Sequence, residues 1–141
     1  MKLQRNLGSF RDPSGQIYEF NKRIIRIIKK SGAKKYHHLK SIKIIEESID
    51  NGFLIQTKDV TDEFKKTNDN QNNFYYLEHE RLDYISYPYE WSFYQLKDAA
   101  LHHLNFQLFL LDRDCVLIDS SAFNIQFNNN KPIFIDLLSL D

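Results

Sequence analysis

The sequence predicts an α+β protein with antiparallel strand pairing, and three observations support this. Apolar spacing switches between a two-residue and a helical period along the chain. Turn-forming residues separate the β-like runs at hairpin distance. The resulting order is strands, helix, strands, long helix, strands, as expected of α+β architecture.

The elements follow in order. In "LGSFRDPSGQIYEFNKRIIRII", Pro13-Ser14-Gly15 marks a turn. "QIYEF" and "RIIRII" are strands joined through Asn21-Lys22. In "AKKYHHLKSIKIIEESIDNG", Tyr36, Leu39, Ile42, Ile45 and Ile49 recur at three- and four-residue steps. That spacing predicts one amphipathic helix, with Gly52 placed to stop it. "FLIQT" is a short strand, and the Asn-rich "KKTNDNQNNFYY" a surface loop. "RLDYISYPYEW" reads as a strand up to Tyr87, broken by Pro88. Ser92 and Gln95 have capping-box spacing at the start of a long helix. Phe93, Leu96, Ala100, Leu104, Leu108 and Leu111 are its expected buried stripe. "CVLID" and a final hairpin complete the layout.

A length of 141 residues is that of one ordinary domain, and 42% hydrophobic with 14% aromatic residues is a folded composition. Zero formal net charge provides no global field for nucleic acid or an anionic membrane. A basic stretch from Lys22 to Lys43 reads as a solvated helix face or a local phosphate-attracting surface. The single Cys115 excludes an internal disulfide and reads as a small buried hydrophobe. No signal-peptide core or bilayer-length apolar run is found, so a cytoplasmic globular protein is expected. The adjacent pairs His37-His38 and His102-His103 diverge on a helix and do not form a shared ligand face. The aromatic run around Trp91 reads as core and hinge packing, with Trp91 anchoring the long helix.

The chemistry-bearing stretch is "IDSSAFNIQFNNNKPIFID". Asp119 and Asn124 have the D-x-x-x-x-N spacing of a kinase catalytic loop, and Asp136 closes an apolar run after a β-turn-β pattern. Phosphoryl transfer needs metal ions held between phosphates and an aligned nucleophile. Mg²⁺ is a hard ion that prefers oxygen ligands. A hairpin of this length returns Asp136 toward Asn124, so the two are expected to share a cation. The competing reading is local: Asp and Asn are common turn residues that cap nearby backbone groups.

From "GSFRDPSGQIYEF" through "ISYPYEWSFYQLKDAALHHL" to "DSSAFNIQFNNNKPIFIDLLS", the chain resembles the N-terminal part of a bacterial class I S-adenosylmethionine (SAM)-dependent methyltransferase family of nodulation type. In longer members this region, itself similar to a protein-kinase fold, precedes a methyltransferase domain. The resemblance implies a small lobe over residues 1–87, with an antiparallel sheet and one helix. Residues 88–141 would be a hinge, a long helix and a catalytic-loop hairpin opening an incomplete helical lobe. Asp119 would be the catalytic-loop carboxylate, with Asn124 and Asp136 as metal ligands. Gly8 and Gly15 would belong to a loop over the phosphates, and Arg26 would stand near the kinase lysine position. Glu46 or Glu47 would be its ion-pair partner.

The chain departs from the kinase pattern in several places. Gly8 and Gly15 do not form G-x-G-x-x-G, Leu117-Ile118 replaces His-Arg, and Leu-Leu follows Asp136. Arginine in place of lysine brings a larger, planar cation. No G-x-G occurs, so SAM would be bound only through a domain beyond these residues. The expectation is a Mg-ATP-binding segment, not catalytic alone, partnered by a nucleotide and a downstream methyltransferase domain or chain. A fragment, a split gene product and a remnant all fit. The alternatives are a non-catalytic structural region of the methyltransferase, or an interaction domain docking through its C-terminal hairpin.

Overall fold

A computed structural model describes residues 4–5, 15–66 and 72–141. It divides the chain into two compact units, one of residues 1–38 with 56–81 and the other of 39–55 with 82–141. The fold is α+β with antiparallel sheets.

The first unit is built on a five-stranded sheet. Its strands are β1 (Gln4–Arg5), β2 (Gly15–Phe20), β3 (Arg23–Lys29), β4 (Thr57–Asp59) and β5 (Asn73–His79). They are arranged β1-β2-β3-β5-β4, with every neighbouring pair antiparallel. Asn21 and Lys22 both adopt positive φ, as a tight two-residue hairpin between β2 and β3 requires. On β3, Ile25 and Ile27 share one face and pack with Val60, Phe64 and Tyr76. Arg23 opens the strand and clasps two carboxylates, Glu78 on β5 at 2.7 Å and Glu63 at 2.6 Å. Glu63 lies on helix α3 (Thr61–Lys65), which follows α1 (Lys30–Ser41) and α2 (Ile44–Asp50) in the chain.

The single helix expected over Tyr36 to Ile49 is two helices. Lys43 sits at φ 60°, in the left-handed region, and this ends the helical ladder between α1 and α2. The break turns Ile42 outward and buries Ile44 beside Ile45. Gly52, at φ +75°, terminates α2, its amide donating to the Ile49 carbonyl at 2.9 Å. Two strand expectations shift as well. "FLIQT" contributes an isolated bridge at Leu54 while the strand begins at Thr57. The segment before Pro88 is irregular, with β5 lying upstream. There the Ser86 main chain pairs with a side chain, the buried Gln126 amide, at 3.0 and 2.8 Å. The tip of the Asn-rich loop, residues 67–71, lies outside the described residues.

The second unit centres on α4 (Phe93–Leu111) and the hairpin of β6 (Ile125–Asn128) and β7 (Lys131–Phe134). Its core is aromatic. Phe106 stacks on Phe53 at 5.1 Å between ring centres and meets Phe134 edge-on at 5.5 Å. The Phe53–Ile55 stretch pairs with Phe134 through two backbone hydrogen bonds of 2.9 Å.

α4 faces the other way round from the expected stripe. Phe93, Leu96, Ala100, Leu104, Leu108 and Leu111 are all exposed, while Ala99, Phe106 and Leu110 are buried. Both sides of this helix are apolar, so leucine spacing alone did not distinguish core from surface. Phe106 and Ala99 select the inner side, where one ring fills the space against Phe53 and Phe134.

The start of α4 is as its capping box predicts. Gln95 N donates to Ser92 Oγ at 3.3 Å, and Ser92 N to Gln95 Oε1 at 3.0 Å. Trp91 anchors it, donating from Nε1 to Ser86 Oγ at 2.9 Å and packing edge-on against Phe127. Ser92→Ala is expected to destabilise the protein by about 1 kcal/mol, with Ser92→Asp close to neutral, in urea unfolding.

Candidate functional site

The candidate site is assembled by the C-terminal hairpin. Asn129 and Asn130 both adopt positive φ, which closes the turn and sets the register Ile125↔Phe134 through Asn128↔Lys131. That register continues one step beyond the ladder, where Ile135 N donates to the Asn124 carbonyl at 2.8 Å. Asn124 and Asp136 therefore flank the open end of the hairpin.

One side chain joins them. Asp136 starts a 3₁₀ turn over Leu137–Ser139, with Oδ1 accepting from Leu138 N at 3.3 Å. Ser139 Oγ donates to Asp136 Oδ2 at 2.9 Å and accepts from Asn124 Nδ2 at 3.2 Å. The Asn124 amide nitrogen is thereby committed to the serine, and its carbonyl oxygen is the group left to act as a donor to a cation. Carboxylate oxygens accept more than one partner, and Asp136 already accepts from Leu138 N and Ser139 Oγ. The set suits a hard cation in donor type. A hydrogen-bonded support behind the ligands is also what metal sites use to orient them.

Asp119 approaches from a neighbouring segment. Ile118 N donates to the Ser139 carbonyl at 2.7 Å, and Val116 exchanges two backbone hydrogen bonds with Asp141. Asp119 follows directly, at φ 48° and exposed, on the bend before Asn124. It stands outside the Asn124–Ser139–Asp136 set. Among the described residues no group of three or more His, Cys, Asp or Glu is positioned to hold a metal ion. Any cation here would depend on the asparagine oxygen and on water or ligand oxygens.

The remaining candidates lie on other elements. Gly8 lies outside the described residues, and Gly15 is the buried first residue of β2, paired with Ile28. Arg26 is buried in mid-β3 opposite Leu77, in the first unit. Glu46 is exposed on α2, in the second unit, and its neighbour Glu47 is held by Arg113 at 2.7 Å. The histidine pair on α4 splits as expected: His102 Nε2 meets the Phe53 carbonyl at 3.0 Å, and His103 Nε2 meets Ser120 Oγ at 3.2 Å. Burial lowers the His102 pKa and raises that of the Cys115 thiol. A buried thiol of raised pKa is a poor nucleophile.

Sequence reasoning missed Ser139, although D-x-x-S at residues 136–139 is a capping spacing that pointed to it. It also missed His79, which is buried with Nδ1 on Thr57 Oγ1 at 2.8 Å. Desolvation, with Arg26 nearby as a second cause, pushes the His79 pKa down to about 3.

The chain is similar to a nodulation protein. Nodulation protein NoeA of Rhizobium meliloti (strain 1021) is 40% identical over 136 residues, covering 96% of this chain. Those residues span only 28% of NoeA. No family model and no solved structure matches. Among the described residues no helix is long and apolar enough to cross a membrane.

Proposed function

We propose that this chain is a magnesium–nucleotide-binding segment of a larger transferase, with Asn124 and Asp136 as cation ligands. The observation supporting this is the Ser139 bridge, which gathers the amide and the carboxylate at one end of the hairpin. Asp119, exposed on the adjoining bend, is assigned the acceptor-facing carboxylate role. The reading rests on the second unit alone. Likeness to a nodulation protein of which the chain spans 28% agrees with a segment working alongside further polypeptide. Methyl transfer from SAM, implied by the family resemblance, would belong to that further polypeptide.

The test is thermal denaturation of the chain with ATP, with and without Mg²⁺. Ligand at a hundred times its Kd stabilises by about 2.7 kcal/mol, so a clear Mg-dependent rise in Tm is expected. Asp136→Asn keeps an acceptor for Leu138 N and is expected to abolish the rise. Ser139→Ala frees the Asn124 amide to rotate and should weaken it. Equal stabilisation in wild type and Asp136→Asn, or none in either, would defeat the reading.

A second reading, a non-catalytic interaction region, is favoured by the exposed apolar side of α4.

A further inference from the structure

The outer side of α4 carries an apolar seam that the described residues do not cover. Leu101, Leu104, Leu108 and Leu111 are spaced three, four and three residues apart, and Tyr94 lies seven before Leu101. This is the a/d spacing of helices that pack along their length. The residues are exposed, Leu104 at 60% and Leu108 at 61%, and Tyr94 at 75%. With Phe93, also 75% exposed, they make a run of large apolar side chains facing solvent along one side of the helix, the kind of surface that marks an interaction site when it is extended. The helix cannot hide the seam by rotating, because Phe106 and Leu110 already fill the core on its other side.

We propose that this seam docks an amphipathic α-helix supplied by the polypeptide that accompanies this segment in longer relatives. Two independent observations meet here: the uncovered seam, and a relative 40% identical in which the matched residues make up only 28% of the length. The occupant's chemistry follows from the helix itself. Its seam is leucine-rich, and it carries an acidic side chain opposite Lys97, the one charged residue in the a/d register of α4.

That lysine also argues against a second copy of α4. Parallel self-pairing sets Lys97 against Lys97, and antiparallel pairing centred on the helix presses each Lys97 onto the partner copy's Leu108 region, desolvating an ammonium without a counter-charge. The inference is independent of the nucleotide reading.

Two measurements decide it. Light scattering on this chain is expected to give a monomer; a dimer that Leu104→Glu dissolves would overturn the proposal in favour of self-association. Because Leu104 is exposed, this variant should fold. The second measurement is cysteine accessibility. Leu104→Cys in this chain should react rapidly with a charged maleimide because position 104 is exposed, the buried Cys115 adding little background. A cysteine at the matching position of full-length NoeA should react at least tenfold more slowly. Equal reactivity in the two proteins would mean that no helix covers the seam.

Discussion

Phe106→Ala is expected to cost about 3–5 kcal/mol in unfolding free energy, the range for truncating a fully buried aromatic. The ring has no solvent exposure and lies between Phe53 and Phe134, so the loss would be felt by α4, the hairpin and the Phe53–Ile55 stretch together. Leu104→Ala, two residues earlier on the same helix, should stay within about 0.5 kcal/mol of wild type. The contrast is readable by urea denaturation followed through Trp91, the sole tryptophan, which sits at the start of α4. Similar costs for the two substitutions would mean that the helix is turned otherwise than described. The same pair of variants therefore checks the exposed seam on which helix docking depends.

Acid is expected to destabilise the first unit well before its carboxylates protonate. His79 is neutral and buried, with a pKa near 3 in the folded state against an ordinary 6.5. Between these values the unfolded chain binds more protons than the folded one, so stability rises with pH and is lost as pH falls below 6.5. The slope from one such group is at most about 1.4 kcal/mol per pH unit. His102, also lowered by burial, adds in the same direction from the second unit. Glu78 and Glu63, held below the ordinary carboxylate value by hydrogen bonds from Arg23, contribute only at lower pH. Urea midpoints followed by far-UV circular dichroism from pH 7 to 5 isolate the histidines. His79→Leu should flatten the profile in that window; an unchanged slope would place the proton elsewhere.

Local signals in the sequence were legible where a short-range rule has one solution. Asn21-Lys22 and the Asn-rich turn of the final hairpin each close a hairpin, because asparagine tolerates the positive φ a tight turn needs. Ser92 and Gln95 satisfy one another's backbone amides whatever surrounds them. Features decided by tertiary competition were not legible. Lys43 in a left-handed conformation carries no strong sequence signature, yet it divides one predicted helix into two. On α4, leucines recur on both sides, and the inner side is chosen by aromatic rings distant in sequence. Within the candidate site, the hairpin's return of Asp136 beside Asn124 followed from turn spacing. The serine that joins them depended on a 3₁₀ turn that spacing alone did not reveal.

A paramagnetic substitute gives the sharpest test of the divalent-ion site proposed at Asn124 and Asp136. With Mn²⁺ and ATP added to isotope-labelled protein, amide signals of residues 124, 136 and 139 should broaden first, with Mg²⁺ restoring them by competition. Asp136→Asn should remove the effect. Broadening centred elsewhere, or persisting unchanged in that variant, would contradict the assignment.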